Sequence, residues 1–171
     1  MENEDGDELS EVAFANYVGV YGYGPISAAP GLGTGALYRN SNVRFATILD
    51  GSSNTFAVGE RSHQLTHSTW FAVLPGAVVD AGQDGHGHAL HAAHGYEERV
   101  MAPVLVLGHV SDDHKLHMPN QGQHAANFSS LHPGGTQFLP CDGSVRFVSD
   151  SIQLDAHIAH GTRPGGEIVD N

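Results

Sequence analysis

Short apolar runs separated by glycine and proline are the feature that most limits the folds open to this chain. Its 22 glycines favour many turns and few long helices. A brief helical pattern near the end of the chain stops at Gly161. We therefore predict a mainly β fold, α+β at most, with about six to eight short strands in an antiparallel sheet, long His- and Gly-rich loops and one or two short helices. The runs predicted as strands are VAFANYVGVYGYG, NTFAVGE, STWFAVLPGAVV, MAPVLVLGHV, TQFLP and SVRFVSD.

The length of 171 residues suits one domain. Residues 1–12 are acidic and contain little to bury, so we predict a disordered leader there and a single β-rich domain over residues 13–171. No apolar run approaches the roughly 20 residues that cross a bilayer, which predicts that this chain is itself soluble.

Charge and cysteine content exclude several classes of function. The formal net charge of −12 argues against nucleic acid and anionic membranes as partners, because both attract basic proteins. The single cysteine, Cys141, rules out a disulfide within the chain and a zinc site built from several thiolates. Cys141 ends an apolar run, where cysteine usually acts as a small hydrophobic residue. With no GxSxG motif either, covalent catalysis is disfavoured.

Four of the 13 histidines form a first cluster of candidate metal ligands, in the segment DGHGHALHAAHGYEE. In a helix, residues three apart lie near one face, whereas in an extended chain alternate residues share a face. Imidazole suits zinc, copper, nickel or iron. A solvated polar loop and an adventitious chelator are the alternatives. The HExxH motif, which would indicate a metal-dependent hydrolase, is absent from the sequence. The candidate ligands are His86, His88, His91 and His94.

A second cluster lies in GHVSDDHKLHMPNQGQH, where Asp112 and Asp113 add oxygen ligands that also suit calcium. No EF-hand loop is present, and a loop held by turns and caps is the alternative. The metal is therefore left open among zinc, copper and calcium. The histidines of this cluster are His109, His114, His117 and His124, of which the first three are the candidate ligands.

The stretch HPGGTQFLPCDG places His132 nine residues ahead of the Asp142-Gly143 pair. If residues 136–141 form a strand, they span roughly 20 Å at about 3.3 Å per residue, so His132 and Asp142 cannot share an ion or a proton. We therefore predict structural roles. Asp142 and Gly143 should supply the positive φ angles of a tight hairpin, and His132 should bind a backbone carbonyl of the entry loop.

Several strings together resemble the C-terminal part of the PulG-like pilin family, also known as domain of unknown function 1559. They include ANYVGVYG, GTGALYRNSNVRFATILDGSSNTFAVGERS and FSSLHPGGTQFLPCDGSVRFVSDSI, and the resemblance runs from about Phe14 to Val169. Its most specific part is the His-x9-Asp-Gly signature at His132, Asp142 and Gly143. The resemblance implies a pilin-like β sheet without the N-terminal pilin helix.

Two functions are compatible with the residues and the resemblance. The first is a non-enzymatic, extracytoplasmic, pseudopilin-like component of a surface or secretion system, stabilised by a divalent metal. Its partners would be other pilin-like subunits or a second copy, and its contact with a membrane would be made through the helix missing from this chain. The alternative is a metal-binding protein or metal-dependent enzyme that uses the His-rich insertions.

Overall fold

The computed structural model describes residues 13–24, 26, 31–69, 78–80, 99–112, 117–121 and 124–163. Two 3₁₀ turns lie at Phe45–Thr47 and Ala102–Leu105, and one α-helix, α1, spans Leu154–Gly161. The strands are β1 (Tyr17–Tyr23), β2 (Phe56–Glu60), β3 (Val78–Asp80), β4 (Arg99–Met101), β5 (Leu107–Val110), β6 (Gly135–Pro140) and β7 (Arg146–Ser149).

Five of the strands form one sheet in the order β5-β1-β2-β6-β7, and β3 pairs with β4 separately. The prediction of a mainly β fold is therefore confirmed. The sheet is mixed, however, because β5 runs parallel to β1 while the other neighbours are antiparallel. A wholly antiparallel sheet was the wrong expectation at this one pairing, which joins strands far apart in the sequence.

The hairpin between β6 and β7 follows the predicted turn, with one difference. The Gly143 amide donates to the carbonyl of Pro140 at 3.1 Å, and Gly143 has a φ of +84°. Asp142 does not share this conformation, so the prediction of two positive φ angles is wrong for Asp142. Its carboxylate instead accepts hydrogen bonds from the amide (2.9 Å) and hydroxyl (2.7 Å) of Ser144, and these bonds lower the pKa of Asp142.

Three phenylalanines form the centre of the larger core. The rings of Phe56 and Phe138 stack at 4.4 Å, and Phe128 meets Phe138 edge-on at 5.0 Å. Each buried ring stabilises the fold by about 1.5–3 kcal/mol. A Cβ on Gly59 of β2 would lie 2.4 Å from the Phe128 ring, so glycine lets this ring approach the backbone. Ile158 of α1 and Ile152 just before it pack against the same core, which places α1 on the sheet.

One predicted strand differs from the observed elements. MAPVLVLGHV is not one strand, because the 3₁₀ turn at Ala102–Leu105 separates β4 from β5. Pro103 explains the break, since proline has no amide hydrogen to donate to a strand ladder. Most of STWFAVLPGAVV, from residue 70 to 77, lies outside the described residues, as does the predicted leader over residues 1–12. The division into leader and domain stays a prediction.

Candidate metal centre

The structure brings together three histidines of the second predicted cluster. One nitrogen from each of His109, His117 and His124 lies within 4.8 Å of the other two. His109 and His117 are buried, with 3% and 5% of their surface exposed, and His124 is half-buried. The other candidate ligands, His86, His88, His91, His94 and His114, lie outside the described residues, so their roles stay predictions.

Strand β5 positions the first of these histidines. All four residues of β5 are buried under other parts of the fold. The His109 amide donates to the carbonyl of Ala126 at 3.1 Å, and this bond sets the strand against the turn that begins at His124. The Nδ1 atom of His109 is 3.4 Å from the carbonyl oxygen of Val110, which favours a proton on Nδ1 and leaves Nε2 as the ligand atom.

Two asparagines hold the segments that carry the other histidines. The Asn127 side chain donates to the carbonyl of Met118 at 2.9 Å, while the Asn127 amide donates to the carbonyl of His124 at 2.9 Å. Asn120 adopts a left-handed conformation with a φ of +60°, which asparagine tolerates better than most residues. Its side chain donates to the Gly135 carbonyl at 2.9 Å. The loop that precedes β6 is therefore tied to the segment that carries His117.

The hydrogen bonds assign a tautomer to each imidazole of the His117–His124 pair. The Ala126 amide donates to Nδ1 of His124 at 3.2 Å, so this Nδ1 carries no proton. His117 Nε2 lies 3.2 Å from the same atom and must therefore be the donor. His117 Nδ1 then accepts from the hydroxyl of Ser111 at 2.8 Å. The proton on His117 Nε2 is the one that a metal would displace.

The distance between these two nitrogens also fits a shared ion. The ion would replace the Ala126 amide at Nδ1 of His124, because an unprotonated imidazole nitrogen offers one lone pair. Two ligands at the usual zinc–nitrogen distance in a tetrahedral site lie about 3.3 Å apart, close to the observed 3.2 Å. With a metal on Nε2, the Nδ1 of His117 would carry the proton and donate to Ser111. Such an outer partner fixes the orientation of a ligating histidine.

Burial keeps the imidazoles of His109 and His117 neutral. Burial lowers the pKa of His109 to about 4, with a further lowering from the neighbouring His124. Burial also lowers the pKa of His117 strongly, and the nearby His109 and His124 add to the effect. Because only the neutral imidazole binds a metal, these low pKa values leave the ligand nitrogens available at mildly acidic pH.

A fourth histidine, His157 of α1, lies behind His117. It is fully buried, and neither of its ring nitrogens makes a hydrogen bond to any described residue. It approaches the backbone of His117 without good hydrogen-bond alignment, and burial lowers its pKa to about 4. Its ring meets the Phe138 and Phe128 rings edge-on at 6.0 and 6.4 Å. His157 thus supports the cluster from the core side, and the helical pattern gave no sign of this position.

A buried cation, Arg61, lies beside the cluster. Its guanidinium donates to the carbonyls of Val104 at 2.6 Å, Asn127 at 2.9 Å and Leu107 at 3.0 Å. Burial lowers the pKa of Arg61 to about 9, and its charge contributes to the low pKa of His109. Arg61 therefore joins the end of β2 to β5 and to the turn after His124, two of the three segments that carry the site.

The signature residues lie at opposite ends of β6 and do not form a joint site. His132 is exposed, and its Nε2 lies 3.6 Å from the carboxylate of Glu60 rather than against a carbonyl, which corrects the predicted contact. The second oxygen of Glu60 accepts from the Gln137 amide at 3.1 Å. Cys141 is half-buried next to the hairpin turn, and burial raises the pKa of its thiol, so it is a poor nucleophile.

Spacing along the chain could not have selected the three ligands. His109, His117 and His124 are separated by eight and seven residues. These spacings would share a face only in one continuous helix, whereas β5 ends at Val110. The three histidines meet because the chain leaves β5, passes through the 117–121 segment and returns at Ala126. Only the local density of histidines pointed to this region.

Comparisons with known proteins identify the family. A search of curated proteins and a search of solved structures gave no match. Within the described ranges, no helix is both long enough and apolar enough to cross a membrane. The family model described as "Protein of unknown function (DUF1559)" matches residues 5–155, which is most of the chain and includes β1 to β7 and the three clustered histidines. The chain therefore belongs to the DUF1559 family.

Proposed function

We propose that this domain is a non-enzymatic metal-binding domain in which one transition-metal ion joins the 117–124 region to strand β5. The observation that carries the proposal is the convergence of three imidazole nitrogens within 4.8 Å in a largely buried position. Nitrogen ligands favour zinc, copper or another late first-row ion, whereas calcium prefers oxygen ligands. Calcium is therefore the least favoured of the three metals that the sequence left open.

A structural role fits this site better than a hydrolytic one. His109 and His117 are almost fully buried, so a large substrate cannot reach a metal held by these side chains. Among the described residues, no carboxylate joins the cluster to act as the general base that metal-dependent hydrolases usually provide. A metal bound here stabilises the folded chain because the unfolded chain lacks the preformed site.

The metal content of tag-free protein tests the proposal. We expect about one zinc or copper ion per chain and its loss in His124→Ala, which removes a half-buried ligand with little effect on the core. His132→Ala is the matched control, because His132 is exposed and outside the cluster, and it should keep the metal.

A triple variant separates this site from the other His-rich segment. His88→Ala, His91→Ala and His94→Ala together should leave the metal content unchanged if the ion is held by His109, His117 and His124. Loss of the metal in the triple variant, with retention in His124→Ala, would place the ion in the other segment and refute the proposal.

We also propose that the domain is an extracytoplasmic, pseudopilin-like component that associates with other pilin-like subunits or with itself. The strings around His132 and Gly143 support this proposal through their resemblance to pilin-related proteins. The reading frame of the gene tests it: a prepilin leader followed by about 20 apolar residues ahead of Met1 is expected. A natural start at Met1, with the protein in the cytosolic fraction, would refute it.

A further inference from the structure

The three clustered histidines leave the charge of a bound metal uncompensated. Imidazole ligands are neutral when they coordinate, and no thiolate or carboxylate lies among the ligands within the described residues. With these three neutral ligands alone, a divalent ion at this site would keep its full double charge in a largely buried position. A buried charge without a partner of opposite sign costs several kcal/mol, by the order of magnitude seen in proteins.

Arg61 increases this imbalance. Its guanidinium is fully buried, its hydrogen bonds go to neutral carbonyls and to the Ser68 hydroxyl, and it forms no ion pair with any residue in the described ranges. Arg61 donates to Leu107, two residues before His109, and to Asn127, three residues after His124. The loaded site would therefore place a divalent and a monovalent cation close together.

The burial of the three ligands indicates where a further ligand enters. His109 and His117 are closed off from solvent, whereas His124 is half-buried. Three protein ligands leave a tetrahedral ion with one open position, and His124 is the most exposed of the three.

We infer that a metal held by His109, His117 and His124 takes a small exogenous anion, of the carboxylate or azide type, as its fourth ligand, entering beside His124. This inference rests on the metal-binding function proposed above. The anion would offset the combined charge of the metal and Arg61. The rival fourth ligand is His157, whose buried ring nitrogens lack hydrogen bonds; it lies on the core side and does not share the 4.8 Å cluster.

Cobalt substitution tests the inference, because the visible d–d bands of Co²⁺ respond to a change of ligand. The metal-free wild-type protein is loaded with Co²⁺, its stoichiometry is measured, and it is titrated with sodium azide and then, in a separate sample, with sodium acetate. We expect a saturable shift of the bands at one anion per cobalt. His157→Phe should load cobalt and show the same shift, because the anion and not His157 fills the fourth position.

Two results would overturn the inference while leaving the metal-binding function intact. One is stoichiometric cobalt whose bands respond to neither anion. The other is a His157→Phe variant whose cobalt spectrum, without added anion, has lost the intensity of a nitrogen ligand. Failure of the wild-type protein to bind cobalt, zinc or copper would instead refute the metal-binding function, and the inference with it.

Discussion

At the scale of single residues, Arg61 shows how a buried charge is made tolerable without a carboxylate. The guanidinium is fully buried and is satisfied by carbonyl oxygens from three separate segments. Those carbonyls lie at the end of a 3₁₀ turn, at the start of β5 and in the turn after His124. The planar fork of arginine supplies several donors in fixed directions, which a lysine cannot do. Arg61 thus satisfies backbone carbonyls where these three segments meet.

Replacing this residue tests its structural role. Arg61→Met should lower the free energy of unfolding by about 3 kcal/mol or more, because three buried carbonyls lose their donors. Urea denaturation followed by circular dichroism measures the change. Arg39→Met is the matched control, since Arg39 is exposed, and it should change stability by less than about 0.5 kcal/mol. Equal effects of the two substitutions would contradict the role assigned to Arg61.

At the scale of secondary-structure elements, helix α1 carries a histidine that must stay neutral. His157 packs between α1 and the aromatic core, and burial lowers its pKa to about 4, with a smaller contribution from His160. In the unfolded chain its pKa is about 6.5. Between these values the unfolded state binds the proton and the folded state does not. Stability is therefore lost as the pH falls from about 6.5 towards 4.

This linkage predicts an acid-sensitive fold in the absence of metal. The pKa difference of His157 corresponds to about 3 kcal/mol of stability, lost between about pH 6.5 and pH 4. His157→Phe removes this titration and keeps an aromatic ring in place. Urea unfolding in EDTA at about pH 7 and about pH 4.5 should show a smaller loss for the variant than for the wild type. Identical losses would mean that His157 is not buried in the neutral form.

The sequence was a good guide to elements whose determinants are local. The apolar runs around β1 and β2 and the Asp142-Gly143 turn between β6 and β7 all lie where short-range patterns placed them. The parallel pairing of β1 with β5 was not predictable, because no local signal links Gly19 to its partner Leu107. The same limit applied to the site. His109 and His117 were candidates, but their contact with His124 depends on how β5 meets the following loop.

At the scale of the whole molecule, the sheet is assembled from strands far apart in the chain. Its central strand β2 lies between β1 and β6, and the histidine cluster lies at β5, one edge of the sheet. The core phenylalanines come from β2, β6 and the segment just before β6. The candidate site and the core are consequently completed by the same late part of the sequence, residues 124–140.

This strand order has a consequence for how the protein is made. Val58 pairs with Leu139, and Gly19 pairs with Leu107. In each pair the second residue is synthesised about 80–90 residues after the first. At about 5–20 residues per second on the ribosome, β6 is synthesised roughly 4–16 seconds after β2, with which it pairs. Pairings of such long range also fold slowly. The newborn chain therefore exposes β1 and β2 during most of its synthesis, and its productive folding competes with association of these strands between chains.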